Sequence, residues 1–208
     1  SVGVPASIQN LLNVTGLTIL NNFTAAFGSS AVAAMGIVHK LAMIPIQVAL
    51  GLSQGVMPLV SYNYASKNIE RMKKAFVFTS VISVSFLVFT AAMFYFFAPV
   101  WIELFMKDSQ IIAYGVPFLK GACLAEPFIG LDFMGVAVFQ ATGIGILSLI
   151  FALLRKVVLE IPALFILNRL FPLYGLAYAQ VVSEVVLAIA AVIVLSYLFK
   201  KWEKEGQQ

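Results

Sequence analysis

Residues 51–75 read GLSQGVMPLVSYNYASKNIERMKKA. The first half is an apolar helix end that carries Gly51, Gly55, Pro58, Ser53 and Gln54. The second half turns abruptly basic with Lys67, Arg71, Lys73 and Lys74. Why a hydrophobic helix should hold amides, glycines and a proline just before a basic loop depends on the solvent around it.

Composition identifies that solvent. Of 208 residues, 62% are hydrophobic and 11% charged, and mean hydropathy is near +1.00. A soluble domain runs at roughly 25% charged, so this chain cannot cover itself with a polar surface. A bilayer removes the difficulty, since one spanning helix needs about 20 mostly apolar residues. Eighteen Phe and seven Tyr suit lipid-facing walls and interfacial belts. The chain is therefore read as an all-α integral membrane protein.

Working outward from the quoted stretch gives six spans, at about 4–27, 31–61, 74–100, 111–140, 146–167 and 175–199. They are two to three times too long for barrel strands and lack period-two alternation. Pro45 and Pro58 offer the second span places to bend. Short connections such as GSS, MKDSQ, ATGIG and RLFPLY make sequence neighbours antiparallel neighbours in one lobe. The N-terminal SVGVPASIQN lacks the pattern of a signal peptide, and the chain is expected to be part of something longer.

Basic residues set the orientation. Lys67, Arg71, Lys73, Lys74, Lys200, Lys201 and Lys204 fall on one side, and only Lys107 and Arg169 on the other. The positive-inside rule puts the first set and the C-terminus in the cytoplasm, so a multi-pass protein of the plasma (inner) membrane is expected. The net charge of +4 is thereby explained, and a nucleic acid partner is not expected. Cys123, alone in an apolar helix, is read as packing, and the solitary His39, with no second His and no Cys pair, gives no metal site. No His–Glu metal motif or Ser–His set points to an enzyme.

Polar residues inside the spans are more telling. At 100° per residue from Lys40, Gln47 falls at about 340°, Gly51 at 20°, Gln54 at 320° and Pro58 at 0°. From Asn10, Asn13 falls at about 300°, Asn21 at 20° and Thr24 at 320°. Two long polar stripes in hydrocarbon turn to the protein interior or to a water-filled cavity. Asn10, Asn13, Asn21, Lys40, Gln47 and Gln54 are the expected cavity residues for a small-molecule substrate.

Eight charges also lie within the spans: Lys40, Lys120, Glu126, Asp132, Arg155, Lys156, Glu160 and Glu184. Each costs about 2.5–3.5 kcal/mol at mid-helix, more than a purely structural lobe would carry. By rise along the helices, Lys40, Lys120, Glu160 and Glu184 lie about 13–15 Å deep, and Glu126, Arg155 and Lys156 about 20–22 Å. Asp132 is placed near the cytoplasmic end. Glu126 can meet Arg155 or Lys156 across a tight connection, and Lys156 can pair with Glu160 four residues on. Glu126, Lys120, Arg155, Lys156, Glu160 and Glu184 thus form the expected charge network, with Pro127 freeing backbone carbonyls beside Glu126. The alternative is a set of structural ion pairs.

These residues carry a resemblance. GVPASIQNLLN resembles the first helix of a lobe of the multidrug and toxic compound extrusion (MATE) transporters. The stretch from AVAAMGIVHK to the quoted loop resembles their long second helix, with Lys40, Gly51, Gln54, Gly55, Pro58, Asn63 and Tyr64 in pattern. PFIGLDFMGVAVFQATG and LLRKVVLEIPALFILNRLFPLYGLAYAQ are similar to the fourth to sixth helices. The resemblance implies a C-terminal six-helix lobe, half of a twelve-helix transporter, partnered by an N-terminal lobe in the bilayer. It implies export of drug-like, often cationic, compounds in exchange for protons or sodium, by alternating access. Family members with a coupling site in this lobe often carry an acid on its first helix. Here that helix offers only Asn10, Asn13 and Asn21, which moves coupling to Glu126 or to the other lobe. A lipid-linked oligosaccharide flippase of the same superfamily and a non-transporting assembly subunit are the alternatives.

Overall fold

A computed structural model describes residues 3–206, and all regular structure among them is helical. The order is α1 (Gly3–Ala25), α2 (Ser29–Ala65), α3 (Ile69–Phe96), α4 (Ala98–Phe105), α5 (Ser109–Cys123), α6 (Glu126–Ala141) and α7 (Gly145–Leu153). A π-helical stretch (Leu154–Glu160), α8 (Ile161–Leu170) and α9 (Gly175–Gly206) complete it. Helices α2, α3 and α9 are long and apolar enough to cross a membrane, and α5 with α6, bent by 42°, makes a fourth such unit. The remaining two expected spans fall short of that measure for a physical reason. Helix α1 has the length but carries Asn10, Asn13, Asn21 and Asn22. The other is divided into α7, the π stretch and α8.

Local chemistry explains the boundaries. Asn68 caps α3 by accepting from Arg71 N at 3.2 Å, and Asp108 caps α5 by accepting from Gln110 N and Ile111 N at 2.9 and 3.0 Å. Pro99 near the start of α4 and Pro127 near the start of α6 lack a donor that a first turn does not need. Gly28 (φ 106°) and Gly143 (φ 80°) turn the chain where a side chain would be strained. Helix α2 runs unbroken through Pro45 and Pro58; at about 1.5 Å per residue it is near 55 Å long, well beyond the hydrocarbon core.

The π stretch has an identifiable cause. Pro162 has no N–H to give to Val158 O, and its ring crowds that carbonyl. The preceding turns widen, so that Ile161 N donates to Lys156 O five residues back. Such widened turns are frequent at functional sites, and this one holds Arg155, Lys156 and Glu160.

Helix α2 packs against α3, α5 and α6, and α9 against α6 and α8. Beside a small apolar cluster of Ala163, Leu164, Leu176 and Ala179, two larger apolar cores result. One gathers Leu41, Phe94, Ile102, Phe118, Leu119 and Cys123, and the other Val60, Met72, Met134, Phe139, Leu187 and Trp202. Along α9, Ala177 belongs to the first core and Leu187 to the second, with Glu184 between them. Along the α5–α6 unit, Asp132 falls likewise between Cys123 and Met134. The charged layer is thus sandwiched between two hydrophobic ones.

Close packing depends on glycine where α9 begins. A methyl group at Gly175 would collide with the Leu167 backbone carbonyl, which cannot move aside as a side-chain tip could. Gly175→Ala is expected to destabilise the protein by about 1–3 kcal/mol. A melting curve in detergent checks it, and an unchanged midpoint would show that the α8–α9 turn yields freely.

Candidate functional site

The exposed faces of α1 and α2 border a groove of about 610 Å³ that runs into the bundle toward the π stretch. Asn10, Asn13, Gln47 and Gln54 line it, as do His39, Ser53, Gln140 and Gln180. Met35, Met43, Met57, Phe118 and Phe133 supply a soft apolar wall. A groove of this size, mostly apolar with a few convergent polar groups, has the character of a small-molecule site. The α2 stripe is real as a surface. Gly36, Lys40, Gln47, Gly51, Gln54 and Pro58 are all exposed, and a methyl group at Gly36, Gly51 or Gly55 would meet nothing within 4 Å. That polar face has no partner among the described residues.

Four charged residues, Arg155, Lys156, Glu160 and Glu184, line the groove beside the π stretch, and a fifth, Asp132, lies outside its lining. Arg155 is paired with Asp132, and its Nε lies 3.3 Å from Glu184 Oε1. Lys156 Nζ donates to both Glu160 oxygens at 2.8 and 2.7 Å. Asp132 and Glu184 are 0% and 1% exposed, and Arg155 and Glu160 both 7%. Glu184 also feels the charges of Glu160 and Lys156, and His39 that of Lys156. Asp132 Oδ1 makes no ion pair, and Glu184 Oε2 has no hydrogen-bond partner either. Three carboxylates therefore face two cations. With all five groups ionised the formal surplus is one negative charge, which a proton or monovalent cation would neutralise.

Gly16 of α1 seats this cluster. A methyl group there would come within 3.2 Å of Lys156 Cδ and 3.5 Å of Glu160 Oε1, so glycine lets α1 close over the pair without displacing the lysine side chain. Its signal in the sequence was a small residue in the middle of a polar span.

Several expectations are corrected. Glu126 meets neither Arg155 nor Lys156. Its Oε2 accepts from Thr90 Oγ1 at 3.2 Å, behind the groove, because the break at Leu124–Ala125 starts α6 on the α3 side. Asp132, on the part of α6 beyond the 42° bend, takes that place and pairs with Arg155. Lys120 stands apart from the charge network, its Nζ 5.2 Å above the Tyr95 ring. Lys40 and Asn21 are exposed but outside the groove's lining, and Thr24 is buried with its hydroxyl donating to Leu20 O at 2.8 Å. The Lys156–Glu160 pair is as the spacing predicts.

Known proteins share this plan. The sequence pattern of the MatE family matches residues 5–166. The chain is 34% identical over 200 residues to the multidrug export protein MepA of Staphylococcus saprophyticus, and 36% identical over 200 residues to MepA of Staphylococcus aureus. Each alignment covers 95% of this chain and 43% of the relative, so the chain spans less than half the length of the relatives it matches. A crystal structure of MATE in the bent conformation matches with a TM-score of 0.92 at 22% identity, over 99% of this chain and 46% of that one. The chain belongs to the MatE family, and its fold is that of one lobe of a MATE transporter.

Proposed function

We propose that this chain is the C-terminal lobe of a secondary active transporter that exports drug-like, often cationic, compounds by antiport with protons or sodium. The observation that carries it is a groove that opens along unpartnered polar faces of α1 and α2 and ends on a cluster with one carboxylate in excess. The open faces are the wall that an N-terminal six-helix lobe would complete, and rocking of the two lobes would alternate access to the site. A cationic substrate and a coupling cation would compete for the same surplus negative charge, which is the physical basis of exchange. The similarity to multidrug export proteins supports the substrate class. A lipid-linked oligosaccharide flippase would call for a cationic cavity suited to pyrophosphate, and the position of Lys120 on Tyr95 and of Lys40 outside the lining speaks against it.

We further propose that the protein lies in the plasma (inner) membrane with its C-terminus in the cytoplasm, an orientation that the excess of basic residues at that end supports. The complete transporter carrying this lobe, expressed in an efflux-deficient strain, is expected to raise drug resistance only while an ion gradient stands. Cysteines placed at Asp108 and Lys201 are expected to react with an impermeant reagent in intact cells at Asp108 alone. Resistance that survives collapse of every ion gradient rejects antiport, and labelling at Lys201 rejects the orientation.

A further inference from the structure

A second cleft, of about 310 Å³, lies on the bundle's outer side between α3, α6 and α9 and shares no residue with the groove. Phe76, Val77, Val81, Leu131, Val192 and Leu195 form its walls, and Lys73 and Lys200 its mouth. Ser80 lines it at 8% exposure, and its hydroxyl has no hydrogen-bond partner. We propose that this cleft binds one anionic phospholipid, its phosphate held by Lys73 and Lys200 and an acyl chain lying along the apolar walls.

Charge and depth both favour that occupant. Lys73 is held by Glu203 at 2.9 Å, both half exposed, while Lys200 has no acid within 4 Å among the described residues. A phosphate would complete Lys200 and compete with Glu203 for Lys73. Lys67, Arg71, Lys74, Lys201 and Lys204 sit at the same end of the bundle, beside the leaflet in which anionic lipids concentrate. Ser80 is two turns inward of Lys73, about 10 Å along α3. The headgroup zone is roughly 5–8 Å deep on each side, so the hydroxyl reaches the level of the glycerol esters and can donate to an ester carbonyl. The rings of Phe76 and Phe199, 5.6 Å apart, line the cleft next to the two lysines of its mouth.

Native mass spectrometry of the complete protein tests the site, after extraction from membranes holding phosphatidylglycerol and phosphatidylethanolamine in equal amounts. One retained phosphatidylglycerol is expected, and Lys73→Gln with Lys200→Gln is expected to cut the preference for it about tenfold. Val192→Trp, which fills the cleft and leaves the charges alone, is expected to lose the retained lipid of either kind. Should the double variant fold poorly, Lys200→Gln alone, on an exposed residue, is expected to give a smaller loss of the same sign. Equal retention of both lipids by the unaltered protein, or unchanged phosphatidylglycerol in the Lys200→Gln and Val192→Trp proteins, overturns the proposal and leaves non-specific annular lipid only.

Discussion

Arg155→Ala is expected to lower the stability of the protein by about 3–5 kcal/mol, the cost of removing one partner from a buried ion pair. Arg155 is the only cation paired with Asp132 or Glu184 among the described residues, and those carboxylates are 0% and 1% exposed between two apolar cores. Without it two negative charges remain with almost no solvent exposure of their own. A loss of that size consumes much of the margin of a domain, so accumulation in the membrane should fall as well as the melting temperature. The cause can be separated from lost side-chain volume. Arg155→Met combined with Asp132→Asn and Glu184→Gln removes the charges together and is expected to restore most of the stability, since apolar or neutral replacement of a whole buried network is often tolerated. Thermal melts of the detergent-extracted variants decide it. If the single variant is as stable as the parent, or the triple variant no better than the single, the cluster is not held by charge.

Glu184→Gln is expected to bring gradient-driven efflux close to background while a cationic dye still binds. Glu184 is the carboxylate that touches Arg155 and also lines the groove, and its second oxygen is unpartnered. In the parent, Asp132, Glu160 and Glu184 outnumber Arg155 and Lys156 by one. Once the Glu184 carboxylate is replaced by an amide, the remaining two acids balance two cations, and the cluster has no charge left for an entering ion to neutralise. A ligand that does not discriminate between two states shifts neither, so the gradient would lose its grip on the conformational cycle. Glu126→Gln, on the α3 side and off the groove, is expected to impair coupling less. Transport into vesicles under an imposed proton or sodium gradient, with dye binding measured in parallel, gives both readouts. Retention of gradient-driven transport by the Glu184→Gln protein would falsify this assignment, as would a loss of coupling confined to Glu126→Gln.

The sequence by itself determined what depends on solvent and on spacing along one helix. A chain 62% hydrophobic and 11% charged has to lie in a bilayer. Its long apolar runs fix where helices occur, and the polar stripe on Gly36, Lys40, Gln47, Gly51, Gln54 and Pro58 was legible because helical geometry alone puts those residues on one face. The Lys156–Glu160 pair was legible for the same reason, being four residues apart in one segment. What joins different helices was not. Depth counted along straight helices set Asp132 too far from Arg155 and made Glu126 its partner. A 42° break at Leu124–Ala125 and a widened turn before Pro162 redirected both segments. Prolines mark where a helix can break, but the direction it then takes is set by the neighbours it packs against. So the tertiary structure decided which acid meets Arg155, brought His39, Gln140 and Gln180 to one groove, and made Gly16 the seat of an ion pair on another helix. Contacts between segments depend on angles that accumulate over many residues, and no local pattern encodes them.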